Sequence, residues 1–178
     1  MKFGAEGWLS GVQHIRSPNC DARPLATAIE LLVIHNISLP PDAFGGQGVV
    51  DLFTNKLDAN AHPYYAQLAG VTVSAHFFIR RSGAIIQFVP CAKRAWHAGV
   101  SQWRGRERCN DFSIGIELEG TDEEAFSASQ YASLVRLTRR LRRVYPICDI
   151  VGHSDIAPGR KTDPGPYFDW PHYLESLK

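Results

Sequence analysis

Residues 31–39, LLVIHNISL, decide how this chain is read. The run is short, apolar and β-branched, broken by His35 and Asn36 and closed by Pro40 and Pro41, which marks a buried strand. Side chains alternate along a strand, so Leu31, Val33 and His35 share one face. Residues 113–119, SIGIELE, alternate as cleanly. Ile114, Ile116 and Leu118 take one face, and Gly115, Glu117 and Glu119 take the other. Residues 74–79 and 85–89 flank RRSG, and Gly83 supplies the positive φ of a tight turn, which predicts a β-hairpin. Ile150 and Val151 form a fourth strand that ends at Gly152 and His153 and runs into a turn-rich loop, SDIAPGRKTDPGP.

Between these strands lie helical signals. Residues 127–145 carry a capping box, Ser127 with Gln130, and an apolar stripe of Tyr131, Leu134, Val135, Thr138, Leu141 and Val144. Pro146 stops the helix. Arg136, Arg139, Arg140, Arg142 and Arg143 read as a solvated face, favoured near a helix C-terminus by the macrodipole. Short helices are expected over 48–54, 63–68 and 170–177, residues 92–99 as loop or strand end, and residues 1–24 as an irregular arm. Strands interleaved with helices predict an α/β fold with a single mixed β-sheet flanked by helices. The stretch 40–73, with its aromatics and glycines, is longer than an idle connection needs and points to function.

A length of 178 residues with 44% hydrophobic content fits one globular domain, 1–178. Such a domain buries about 70% of the unfolded surface. A formal net charge of +1 gives no field to recruit nucleic acid or an anionic membrane. The N-terminus, MKFGAEGWLSG, lacks the apolar segment of a secretory signal, and no run is long enough to span a bilayer. A cytoplasmic chain starting at Met1 is expected. Cys20, Cys91, Cys109 and Cys148 fall singly, without a CxxC pair, so a cysteine zinc knuckle is disfavoured and reduced thiols are expected. Cys148, beside Ile147, reads as a small core residue.

The chemistry lies in the polar residues that interrupt apolar strands. His35 and His153 sit at corresponding strand ends, and Asp163 follows on the proline-rich loop. Two histidines and a carboxylate with a fourth position left for water make the open arrangement of catalytic zinc. By spacing alone, hydrogen-bonded core histidines fit as well. Lys161, two residues before Asp163, could stabilise an oxyanion beside a metal ligand, or it could be a surface lysine in a basic turn. Glu117, between isoleucines, is costly without a task or a partner and is the candidate general base. Glu119 shares its face but lies nearer the strand end, which suits a structural or solvent-facing role. His76 reads as a core histidine. Asp155 reads as structural. The glycine-rich phosphate motifs and GxSxG are absent.

The stretches LLVIHNISLPP, FGGQGVVDLFTNKLDANAHPYY, VSAHFFIRRSG, KRAWHAGVS, GRERCNDFSIGIELEGTD and GHSDIAPGRKTDPGP together resemble the zinc-dependent N-acetylmuramoyl-L-alanine amidases. The closest likeness is to cytoplasmic members that cleave 1,6-anhydro-N-acetylmuramyl-L-alanine in peptidoglycan recycling. The resemblance implies the sheet-and-helix fold shared with peptidoglycan recognition proteins and one Zn²⁺ held by His35, His153 and Asp163. It places the catalytic glutamate on Glu117 rather than Glu119, and the transition-state lysine on Lys161. The implied partner is an anhydromuropeptide, with no nucleic acid, no membrane and a monomeric chain. Asn36, Trp96, His97, Arg108 and Asn110 are candidate substrate contacts, since an arginine can hold a peptide carboxylate bidentately. Two rival readings are a non-catalytic muropeptide sensor of the same fold and an amidase acting on intact wall.

Overall fold

The computed structural model of the protein describes residues 2–178; the expected start, Met1, lies outside them. In chain order the strands are β1 (Gln13–His14), β2 (Cys20–Ala22), β3 (Leu31–Ile37), β4 (Phe77–Ile79), β5 (Ile85–Gln87), β6 (Lys93–Ala95), β7 (Gln102–Trp103), β8 (Arg106–Glu107), β9 (Ser113–Glu119) and β10 (Asp149–Gly152). The helices are α1 (Gly48–Phe53), α2 (Pro63–Ala66), α3 (Ala128–Arg142), α4 (His153–Ile156) and α5 (Trp170–Glu175). Six strands form one mixed sheet in the order β1-β5-β4-β9-β3-β10; β2 with β6 and β7 with β8 add two small ribbons. The expected α/β sheet is therefore present. The N-terminal arm is not irregular throughout, because β1 joins the sheet edge parallel to β5 and β2 pairs with β6.

Only β4 and β5 run antiparallel within the large sheet, and Gly83 turns their hairpin at φ +82°. Strands β4, β9, β3 and β10 run parallel, so their carboxyl ends share one edge. Ligand sites of open parallel sheets lie outside that edge. Register then does the local work. His35 of β3 pairs with Glu117 of β9, Glu117 pairs with Phe78 of β4, and Gly152 of β10 pairs with Ile34.

One face of the sheet is apolar. Leu32, Ile34, Ile114, Ile116 and Leu118 are fully buried there with Leu134, Leu137 and Leu141 of α3 and with Tyr173 of α5. Burying each such side chain contributes about 1.5–3 kcal/mol. Helix α3 starts on the expected capping box: Ser127 Oγ accepts from the Gln130 amide at 3.1 Å, and Gln130 Oε1 accepts from the Ser127 amide at 3.0 Å. The stripe needs one correction. Val144 lies beyond the last helical turn and is 54% exposed, whereas Leu137 keeps the helical phase and is fully buried.

The opposite face carries Leu31, Val33, His35, Gly115 and Glu117, with the clusters around α1, α2 and the 96–112 segment packed beside it. Glu119, on this face, is buried rather than solvent-facing. Its carboxylate accepts from the amides of Gly45 (2.7 Å) and Arg81 (2.9 Å) and from Arg80 (3.2 Å), tying the 40–47 loop to the hairpin. The four cysteines are free thiols, as expected. Cys148 is exposed rather than in the core, because Ile147 takes the inward position and the next side chain points away. Among the described residues, no helix is long and apolar enough to cross a membrane.

Candidate metal centre

Three polar side chains from distant parts of the sequence meet at the carboxyl edge of the sheet. His35 closes the buried part of β3. His153 follows the last residue of β10 and therefore stands beside His35. It opens the short helix α4 instead of entering a loop directly, and Asp155, exposed and structural, accepts from the Gly152 amide at 2.7 Å to hold that turn. The following loop returns Asp163 to the same point, where its carbonyl accepts from the Ser154 amide at 3.0 Å.

The donor atoms converge closely. His35 Nδ1 lies 3.0 Å from His153 Nδ1, and each lies 3.1 Å from Asp163 Oδ2. Corners of a tetrahedron with bonds of about 2.0–2.1 Å are roughly 3.3 Å apart, so the spacing fits three ligands of one small cation. Proton accounting points the same way. His153 Nε2 lies 3.2 Å from the carbonyl of Ala98, which can only accept, so the neutral ring carries its proton there. Its Nδ1 is then a bare lone pair facing a carboxylate, which is repulsive without a cation between them. His35, His153 and Asp163 thus form a group able to hold a metal ion.

Electrostatics agree with a neutral His35 ring and an ionised carboxylate on Asp163. Burial lowers the pKa of His35 to about 4, against the opposing pull of the adjacent Asp163 carboxylate. For Asp163, burial pushes the carboxyl up, but the close approach of His153 and His35 outweighs it and leaves it well below its ordinary range.

Glu117 stands beside this trio. Its Oε1 is 3.9 Å from His35 Nδ1, the residue is 8% exposed, and its Oε2 is buried without a hydrogen-bond partner. Burial raises its pKa well above the ordinary carboxyl value, the Asp163 charge raises it further, and Lys161 opposes both. A buried oxygen without a partner is an uncommon cost in a native fold and marks a group kept for a task. Lys161 is exposed on the same cleft wall, near enough for its charge to act on Glu117 and His35.

These residues line one cleft of about 670 Å³. Its apolar wall comes from the long 40–73 connection, through Leu52, Phe53, Leu68, Val71 and Val73. Of the five expected substrate contacts, Asn36 and Trp96 line the cleft, and Asn36 Nδ2 donates to Asp122 at 2.7 Å. His97 also borders it but is buried and turned toward His35. Arg108 lies at a neighbouring cavity and pairs with Asp111 at 3.3 Å. Asn110 Oδ1 accepts from the amides of His97 (3.1 Å) and Ala98 (2.9 Å), a structural duty. His76 is a core histidine: its Nδ1 accepts from the Gly115 amide at 3.1 Å, and its Nε2 lies 3.0 Å from Arg23 Nη2 and 3.1 Å from the Lys93 carbonyl.

Sequence reasoning missed the Ala98 carbonyl, which also accepts from Arg160 at 2.7 Å. It missed Asp122 and Ser113 as well. A backbone carbonyl has no sequence signal, and the two side chains gain meaning only through their partners.

The N-acetylmuramoyl-L-alanine amidase family model, Amidase_2, matches residues 25–166. The chain is 56% identical over 170 residues, 94% of its length, to the 1,6-anhydro-N-acetylmuramyl-L-alanine amidase AmpD of Escherichia coli strain K12, of which it covers 93%. Its fold matches that of a selenomethionine AmpD derivative with a TM-score of 0.97 and 54% identity, over 100% of both chains. It also matches the E. coli N-acetylmuramyl-L-alanine amidase AmiD, solved with the substrate anhydro-N-acetylmuramic acid-L-Ala-D-gamma-Glu-L-Lys. That likeness has a TM-score of 0.63 and 32% identity, and covers 86% of this chain and 60% of that one.

Proposed function

The chain belongs to the N-acetylmuramoyl-L-alanine amidase family, and on that premise we propose that it is a zinc hydrolase of the anhydromuropeptides released during peptidoglycan recycling. The bond cut is the amide between the lactyl group of 1,6-anhydro-N-acetylmuramic acid and L-alanine. The observation that carries this reading is the convergence of His35, His153 and Asp163 donors within 3.0–3.1 Å, beside a buried carboxylate with an unpartnered oxygen.

His35, His153 and Asp163 would hold one zinc ion. When bound, zinc supplies a Lewis acid that polarises the amide carbonyl and lowers the pKa of water to about 7. Glu117 takes the proton of the attacking water, a role its raised pKa and position beside His35 suit. Glu117 then returns that proton to the departing L-alanine nitrogen. Lys161, on the same cleft wall, stabilises the oxyanion of the tetrahedral intermediate. Asn36 and Trp96 contact the sugar or the stem peptide in the cleft. The protein acts as a cytoplasmic monomer.

The test is zinc content measured together with the products of one defined anhydromuropeptide. One zinc per chain with release of anhydro-sugar and free stem peptide is expected. Bound zinc without stem peptide would leave a sensor, and faster cleavage of intact sacculi would move the substrate to the wall.

A further inference from the structure

We infer that His97 is a positioning residue for the metal centre: it accepts the Nε2–H of His35 and so keeps that ring in the tautomer whose Nδ1 lone pair faces His153 and Asp163. The inference rests on the metal reading proposed above.

The geometry is a short chain of three groups. His35 Nε2 lies 2.9 Å from His97 Nδ1, and His97 Nε2 lies 3.0 Å from Ser113 Oγ. The His35 and His97 rings stand edge to face, with centroids 5.0 Å apart and an interplanar angle of 86°. The contacts are buried at every member. The main chain of His97 is held at its base, since Asn110 Oδ1 accepts from its amide at 3.1 Å. Gly115 makes the room for its ring: a Cβ there would meet His97 Cγ at 2.4 Å.

A histidine ligand usually donates its second N–H to a carbonyl or carboxylate, which can only accept. His153 follows that pattern through Ala98. His35 instead faces another imidazole, which accepts or donates according to its own tautomer. Only one direction serves ligation. If His97 Nε2 donates to Ser113 Oγ, its Nδ1 accepts from His35 Nε2, and His35 Nδ1 is free of a proton. If the chain ran the other way, Ser113 would donate to His97 and His97 Nδ1 to His35. The His35 proton would then sit on Nδ1 and block the metal. His76 does not share this role. Its ring nitrogens are taken up by the Gly115 amide, the Lys93 carbonyl and the Arg23 guanidinium, and it makes no hydrogen bond to His35.

The test compares two replacements by chelator competition for zinc, with circular dichroism as the check on folding. His97→Phe keeps a ring but removes both nitrogens, and zinc affinity should fall about 10–100-fold. His97→Gln offers an amide oxygen to His35 and an amide N–H to Ser113, and should remain nearer wild type. A folded His97→Phe protein that binds zinc as tightly as wild type overturns the inference and leaves the metal reading intact. A wild-type protein that does not bind zinc overturns the metal reading itself. Should His97→Phe not fold, imidazole nitrogen NMR of the zinc-loaded wild type decides. Protons on Nε2 of both His35 and His97 are expected, and a proton on His97 Nδ1 overturns the inference.

Discussion

Replacing Gly115 with alanine is the sharpest probe of how this site is built. The added Cβ would lie 2.4 Å from His97 Cγ, 2.6 Å from its Nδ1 and 2.7 Å from its Cδ2. Carbon contacts settle at about 3.5–4.0 Å, so the ring would have to retreat by roughly 1 Å or more. It has little freedom to do so. Cγ is the ring atom nearest the main chain, the His97 amide is held by Asn110, and both ring nitrogens are engaged. Overpacking of this kind costs about 1–3 kcal/mol, and a displaced hydrogen bond adds about 0.5–1.5 kcal/mol. Alanine loses less backbone freedom than glycine on folding, which returns about 0.5–1 kcal/mol. The net loss expected is roughly 0.5–4 kcal/mol, which for a chain of this size lowers the melting temperature by about 2–4 °C per kcal/mol. The assay is urea unfolding of metal-free wild type and Gly115→Ala in the presence of a chelator, followed by zinc competition on both. A Gly115→Ala protein with an unchanged urea midpoint would refute the close-approach argument.

Three further outcomes follow from the same geometry. Glu117→Gln should keep zinc, because Glu117 is not among the converging donors, yet lose about 10²–10⁴-fold in turnover; stoichiometric zinc with wild-type turnover would remove Glu117 as the base. Its pH dependence is also fixed in sign. Burial raises the folded pKa above the ordinary 4.5, so the native state keeps a proton that the unfolded chain has released, and stability falls as pH rises between the two values. His35, held low at about 4 by burial, works the other way below its ordinary 6.5. The Glu117 contribution is therefore read as the wild-type minus Glu117→Gln difference in chelated protein, which should decline as pH rises; a flat difference would contradict a buried protonated carboxyl. Ser127→Ala removes the α3 cap and should cost about 1 kcal/mol in a urea melt without altering zinc affinity.

The strands and the long helix were legible in the sequence because their patterns are local. Period-two alternation marked Ser113–Glu119, and the capping box marked the start of α3. Legibility failed where local pattern and tertiary packing diverge. Val144 continued the stripe in sequence, but the helix had ended. Cys148 looked apolar enough for the core, but Ile147 took the inward position. Gln13–His14 offered no strand signal, since a two-residue edge strand is made by its neighbour β5 rather than by its own side chains.

At the site the division is clearer. The sequence by itself determined which residues were able to act: two histidines at strand ends, an aspartate on a proline-rich loop, and a carboxylate trapped between isoleucines. Those are statements of chemical type and local cost, and one dimension suffices for them. Only the tertiary structure decided convergence. Parallel register set His35 beside Glu117 and brought His153 up to His35, and neither relation is written in spacing along the chain. It also separated the five candidate contacts, placing Asn36 and Trp96 on the cleft, Arg108 at another cavity, Asn110 on main-chain amides and His97 at the cleft border, buried and turned toward His35. Hydrogen-bond direction is a property of pairs, so the partner of a buried polar group becomes known only when the fold has chosen it.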